Sequence, residues 1–324
     1  MKKNIAIIMG GYSSEYGISL KSGKVVYDYL DKEKFNCFPI HISKSKWVFV
    51  DENDKETPVN RHDFSLVKNG QKINFDCVFN AIHGSPGENG LLQAYFELMN
   101  IPQTSCDFYQ AALTFNKRDL LSVLKPYGIK CAPSFYLNKG DVVNEKEIIE
   151  KVKLPCFVKA NKSGSSYGIS KVYKKEELKK AIDLAYMEDD EIIIEGFLDG
   201  TEVSVGVITF EGKTKVLPIT EIVSENDFFD YEAKYEGKSQ EITPARISKK
   251  QEENVTKLAK KIYEILKMKG FSRGEYIFLD NEPYLIEINA TPGLTKESIL
   301  PKQALQAGIS LSALFENAIS EVLV

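Results

Sequence analysis

The sequence predicts an α/β protein that becomes α+β after its first hundred residues, and three observations carry that expectation. Residues 4–9 are apolar, Gly10-Gly11 is a tight turn, and residues 19–30 have helical spacing, so the chain opens as strand, glycine turn, helix. Beyond residue 150 the pattern changes to short strands separated by turns. Near the C-terminus, two apolar runs flank the turn residues Asp280-Asn281-Glu282 and read as a hairpin.

Strand-like runs at 37–42 and 77–82 and a helix over 90–99 complete a first domain in the doubly wound style. Asn100-Ile101-Pro102 is its exit, giving a domain of residues 1–103. Helices are expected at 107–115 and 117–124, then strands at 157–160, 169–173, 191–195 and 202–209, with a Lys-rich amphipathic helix over 176–186 between them. A strand from residue 215, a polar loop over 224–240, a helix over 249–268, the hairpin and two closing helices finish the chain.

Composition bounds the function. With 324 residues, 43% hydrophobic and 27% charged, the chain can bury the core of two or three domains. A net charge of −4 gives no general attraction to nucleic acid, so any anionic ligand must be met by local Lys and Arg. Five scattered cysteines without a CxxC pair argue for a reducing compartment and against a zinc site. No segment has the apolar length needed to span a bilayer, and a cytoplasmic protein without membrane or nucleic-acid partners is expected.

The hairpin's second arm, Tyr284-Leu285-Ile286-Glu287-Ile288-Asn289, ends an apolar strand in a carboxylate and an amide. Strict alternation puts Glu287 and Asn289 on one face with Leu285, and Tyr284, Ile286 and Ile288 on the other. Folding the hairpin brings Glu275 beside Glu287, an oxygen set of the kind magnesium takes when it also holds a nucleotide's phosphates. The segment from Lys159 through Gly164-Ser165-Ser166 is strand, small-residue loop, strand, which can turn backbone N–H groups and a lysine toward phosphate. It is not a Walker A loop, and a plain hairpin turn has the same pattern. Lys117 at a helix start, Glu195 at a strand end and Glu202 just beyond suit a purine nucleotide; taken singly, such residues are more often solvated surface. Glu15, after Gly10-Gly11, stands where open α/β sheets bind ligands and can pair with an amine or serve the following helix's N-terminus. His83-Gly84 with Gly87-Glu88 and Gly90 also links a strand to a helix.

Taken in order, these segments resemble the D-alanine–D-alanine ligases of the ATP-grasp superfamily over nearly the whole chain. The matches are Gly10-Gly11 with Glu15, His83-Gly84 with Gly87-Glu88, Asn116-Lys117, Lys159 with Gly164-Ser165-Ser166, Asp230 to Tyr235, and Glu287-Ile288-Asn289 with Thr291-Pro292-Gly293. The resemblance implies an ATP-grasp fold: a Rossmann-like pre-ATP-grasp domain at 1–103, a central subdomain at 104–200 and a C-terminal one at 201–324, in a homodimer. It implies ATP and two magnesium ions, with manganese as the alternative ion, held by Glu275, Glu287 and Asn289. Lys117, Lys159, Gly164, Ser165 and Ser166 would hold phosphate, and Glu195, Leu198 and Glu202 adenine and ribose. Glu15 would bind the first D-alanine's ammonium near His83, with Ser165 and Tyr235 locking a loop that includes Lys234 over the site. Arg273 and the Gly293 N–H would serve the oxyanion, and Ser298 the second D-alanine's carboxylate. The product is D-alanyl-D-alanine, formed through D-alanyl phosphate for peptidoglycan.

Three positions depart from the family's pattern: Glu275 replaces the usual Asp, Asn89 replaces a common Asp, and Thr104-Ser105-Cys106 replaces Tyr-Thr-Gly. A sister ligase making D-alanyl-D-lactate or D-alanyl-D-serine is the nearest rival; Tyr235 argues against the lactate version. A non-catalytic ATP-grasp binder would lack some of Lys159, Arg273, Glu287 and Asn289, all of which are present. A dinucleotide oxidoreductase fails for want of GxGxxG.

Overall fold

The computed structural model describes residues 2–164, 168–224 and 239–323. Its strands fall into three sheets taken in chain order. The first holds β1 (Lys3–Gly10), β2 (Phe35–Ile42), β3 (Trp47–Val50), β4 (Glu56–Asn60), β5 (Ser65–Lys68), β6 (Gln71–Ile73) and β7 (Cys77–Asn80), in the order β6-β5-β4-β3-β2-β1-β7. Only β2, β1 and β7 are parallel; β3 to β6 extend the sheet as an antiparallel meander in a stretch to which the sequence reading assigns no element. The last turn of that meander was legible: Asn69 and Gly70 both take positive φ, 52° and 75°, the two-residue hairpin that Asn-Gly favours.

α1 (Tyr16–Tyr29) and α2 (Leu91–Leu98) lie on opposite faces of this sheet. α3 (Phe108–Phe115) and α4 (Lys117–Leu124) follow, the latter capped by Asn116, whose side chain accepts from the Asp119 N–H at 3.0 Å. The second sheet is antiparallel, in the order β10-β9-β11-β8, from β8 (Ser134–Asn138), β9 (Cys156–Ala160), β10 (Ser170–Val172) and β11 (Glu191–Gly196). α5 (Glu145–Val152) and α6 (Lys175–Ala185) cover one face of it.

The third sheet, also antiparallel, contains β12 (Thr201–Phe210), β13 (Lys213–Val216), β14 (Thr220–Ser224), β15 (Ser239–Ile242), β16 (Phe271–Leu279) and β17 (Glu282–Asn289). α7 (Lys249–Ile265) starts at a capping box in which the Ser248 hydroxyl accepts from Gln251 N–H and the Gln251 side chain accepts from Ser248 N–H. α7 packs on the sheet, and α3 and α4 share that core. α8 (Ile299–Gln306) and α9 (Leu311–Ser320) pack against the α1 face of the first sheet together with Phe271 and Leu217. That shared core sets the loops after β1 and β7 against the end of β17.

The β16–β17 hairpin corrects one expectation. Glu275 does pair with Glu287, but the register then shifts so that Tyr276 pairs with Leu285, leaving Ile286 as an extra residue. This β-bulge breaks strict alternation. Leu285 and Ile288 therefore enter the core together, whereas Ile286 joins Glu287 on the open side. The carboxylate is aimed by the bulge and not by simple period-two counting.

Candidate active site

Two clefts meet at the end of β17. The smaller is a slot between the second and third sheets, lined by Lys117, Lys159, Glu195, Leu198, Glu202, Glu275 and Glu287 with the apolar walls Ala132, Phe157, Ile277 and Ile286. Here the structure unites all the described residues expected to take ATP except Gly164. The larger cleft lies between the first and third sheets and is lined by Glu15, His83, Lys117, Gly164, Arg273, Glu287, Asn289, Gly293 and Ser298 among others. Every described residue expected to meet amino-acid substrate or metal is in one cleft or the other. Ser165, Ser166, Lys234 and Tyr235, and the loop closure that rests on them, lie outside the described residues.

The slot is built by alternation. Lys159 and Phe157 are two apart on β9 and so share a face, as do Glu275 and Ile277 on β16. Phe157, Ile277 and Ile286 were missed; the two-residue spacing from Lys159 would have found the first. Lys159 Nζ stands 3.0 Å from Glu195 Oε2, with both side chains about nine-tenths buried or more. Burial pulls the Lys159 ammonium down, yet the Glu195 charge and hydrogen bond outweigh it, with smaller help from Glu287 and Glu202, and the net shift is upward. The lysine is therefore charged. Glu195 Oε1 is buried with no hydrogen-bond partner among the described residues, an acceptor suited to an exocyclic amine.

Lys117 and Glu287 line both clefts. Their charged atoms are 3.1 Å apart, and Lys117 Nζ also donates to the Ser163 carbonyl at 2.8 Å. On β16, Arg273 and Glu275 share a face and form an ion pair, and Arg273 Nη1 donates to Ser204 Oγ at 3.1 Å. Glu275 and Glu287 face each other across the hairpin, and Arg273 faces Asn289. Two carboxylates and one amide suit magnesium, which keeps waters or phosphate oxygens for its remaining positions. Among the described residues no group of three or more His, Cys, Asp and Glu could hold a metal by itself.

In the larger cleft Glu15 occupies the N-cap position of α1 without capping it by its side chain. Its carboxylate instead lies against Gly164, where a Cβ would come within 2.9 Å of Glu15 Oε2. Gly293 is as tightly placed: a Cβ there would meet Ser298 Oγ at 2.7 Å. Ser298, at the N-cap of α8, shares a hydrogen bond of 2.8 Å with the Thr295 hydroxyl.

Glu88, matched in the sequence without an assigned role, is buried in the wall of the larger cleft. It accepts from Gly84 N–H at 3.0 Å and Thr291 N–H at 3.4 Å. Burial first, then the Glu15 charge, pushes its carboxyl up to about 7. A carboxyl raised on folding favours the protonated folded state, so its contribution is full below about pH 4.5 and is lost as pH rises through 7, about 3 kcal/mol in all. Glu88→Gln removes that dependence. Denaturant unfolding of the ligand-free protein at pH 5 and pH 8 should show wild type losing ground to the variant; a gap that stays constant with pH contradicts the assignment.

Antiparallel sheets closing on a slot, with an acidic cleft opening off its end, are the arrangement of the ATP-grasp class of carboxylate–amine ligases. Comparisons narrow the class. The family profile described as D-ala D-ala ligase N-terminus matches residues 4–106, and the one described as D-ala D-ala ligase C-terminus matches 123–320. A D-alanine–D-alanine ligase of Flavobacterium johnsoniae is 71% identical over 317 residues, covering 98% of each chain, and one of Christiangramia forsetii is 59% identical over 323 residues, covering 100% of this chain and 99% of the relative. Among solved structures, the VanG D-Ala:D-Ser ligase of Enterococcus faecalis superposes with a TM-score of 0.87 at 32% identity over the whole of both chains. The ATP complex of the Bacillus anthracis D-alanine–D-alanine ligase gives 0.79 at 28%, covering 99% of this chain and 97% of that one.

The chain belongs to the D-alanine–D-alanine ligase family. It is an ADP-forming ligase that makes D-alanyl-D-alanine for peptidoglycan, with the family's use of ATP and a divalent metal. The high identity to dipeptide ligases, against 32% to the D-serine enzyme, favours this reading over the sister activities.

Proposed function

We propose that the two clefts divide the reaction between them, with ATP in the slot, D-alanine in the larger cleft and the transferred phosphoryl group at the Lys117–Glu287 pair that both share. That shared pair carries the reading. Glu195 and Leu198 take adenine, Glu202 the ribose hydroxyls, and Lys117, Lys159 and the loop at Gly164 the phosphates. Phosphoryl transfer needs positioning and charge neutralisation more than covalent help. Glu15 holds the first D-alanine's ammonium, leaving its carboxylate to attack the γ-phosphorus while the bond to ADP breaks. Glu275, Glu287 and Asn289 hold two magnesium ions, which neutralise phosphate charge when bound.

The product of that step is D-alanyl phosphate. The second D-alanine's amine attacks its carbonyl, and Arg273 with the Gly293 N–H stabilises the oxyanion before phosphate leaves and the amine's proton is lost. Ser298, at the N-terminus of α8, takes the second carboxylate, a favourable place for an anion. D-alanine carrying 18O in its carboxylate should deliver one labelled oxygen to the released phosphate; unlabelled phosphate excludes the acyl phosphate. Phosphate release with D-alanine alone should also exceed any increment from added D-lactate.

The same reading assigns residues 1–103, 104–200 and 201–324 to three domains and places the enzyme in the cytoplasm. Among the described residues no helix is long and apolar enough to cross a membrane. It is a homodimer: Leu91 and Leu98 on α2 and Phe108 and Tyr109 on α3 expose an apolar face, Leu98 to 78%, that a second copy would cover. Light scattering reads this directly, and a monomeric mass refutes it.

A further inference from the structure

We propose that Ser22 and His83 form a hydrogen-bonded brace that holds residues 291–294, and with them the Gly293 amide, in place for the amide-forming step; this rests on the oxyanion role given to Gly293. The brace is a chain of three hydrogen bonds whose directions are fixed by chemistry. Thr291 contributes a carbonyl, which only accepts, so His83 Nδ1, 2.8 Å away, carries the proton. His83 is 4% exposed and burial lowers its pKa, so the imidazole holds one proton and Nε2 is the acceptor. The Ser22 hydroxyl, 2.9 Å from Nε2, must then donate. Its oxygen in turn accepts from Leu294 N–H at 3.2 Å.

Leu294 N–H thus reaches the Thr291 carbonyl through Ser22 and His83, and Gly293 lies inside the span. Ser22 is fully buried on α1, seven residues beyond Glu15 and on the same helix face. A helical serine commonly bonds the carbonyl one turn back; this one spends its hydroxyl on His83, in the loop after β7, and on Leu294, in the loop after β17. Both ring nitrogens of His83 are committed, which makes it a positioning residue and not a proton carrier. The helix that presents Glu15 to the first substrate therefore also fixes the oxyanion donor.

Ser22→Ala should lower kcat by about ten- to a hundredfold, with KM for ATP and D-alanine within about threefold, since the lost interaction acts only in the transition state. Amide hydrogen exchange in peptides covering 290–294 should quicken. His83→Asn, whose side-chain amide can replace the Nδ1 donor to Thr291, should retain more kcat than His83→Gln and keeps the test available if Ser22→Ala folds poorly. Unchanged exchange in Ser22→Ala overturns the brace. Faster exchange with unchanged kcat overturns its catalytic half and refutes the Gly293 role. A large rise in KM for D-alanine at constant kcat would instead make these residues substrate contacts, and also overturns the proposal.

Discussion

Glu287→Ala is expected to lower phosphate release with ATP, magnesium and D-alanine by about a thousandfold or more, the scale on which preorganised charged groups act. Glu287 lines both clefts, and the bulge opposite Glu275 aims it there. Its loss removes a carboxylate that would help hold the metal ions and leaves Lys117, which is nearly buried, with only the Ser163 carbonyl from this pair of contacts. Stability should fall by about 1–3 kcal/mol, because the Glu287 side chain is 28% exposed but Lys117, 10% exposed, loses its counter-charge. A well-folded Glu287→Ala enzyme with a tenth of the parent's activity or more would sink the metal assignment.

Glu275→Asp makes the converse case. Glu275 stands where the resemblance leads one to expect Asp, and here its carboxylate is paired with Arg273 across one strand face. Shortening it by a methylene keeps the charge, so activity should remain within about tenfold, the value of roughly 1.4 kcal/mol. Loss as severe as that of Glu287→Ala would mean that the longer side chain is required by the Arg273 pair and not merely tolerated.

How much of this was legible depended on whether a feature is local. β1, Gly10-Gly11, α1 and the β16–β17 hairpin are written in apolar period and turn residues, and the structure reproduces them within a few residues. The antiparallel strands β3 to β6 are only three to five residues long; β3 is a four-residue apolar run and β4 to β6 mix apolar with polar positions, too short for a period to show apart from Asn69-Gly70. The face of Leu285 was misjudged because a bulge depends on the partner strand, which no single run of residues encodes. Glu15, His83 and Gly293 were found by resemblance. What brings them together is the shared core of α1, α8, α9 and Phe271, a long-range packing fact. Ser22 was invisible for the same reason: a serine inside an amphipathic helix gives no sign that its hydroxyl joins two loops distant in the chain.

Lys159→Met should produce the largest loss of stability of any substitution in the slot. Its partner Glu195 has a side chain only 4% exposed, on the neighbouring strand β11, and one of its oxygens already lacks a hydrogen-bond partner among the described residues. Removing the ammonium leaves a buried carboxylate without its counter-charge, which costs about 3–5 kcal/mol. That is a large part of a typical folding free energy of about 5–15 kcal/mol. The double variant Lys159→Met/Glu195→Gln removes both charges and should recover most of that loss, because a buried ion pair replaced as a pair is often near neutral. Nucleotide binding should not recover with it, since the phosphate contact is still missing and the neutral amide cannot restore it. Denaturant unfolding and ATP binding measured on both variants separate the two roles. A single variant as stable as the parent would show that the pair is not a closed ionic couple, and a double variant that binds ATP normally would remove Lys159 from the phosphate site.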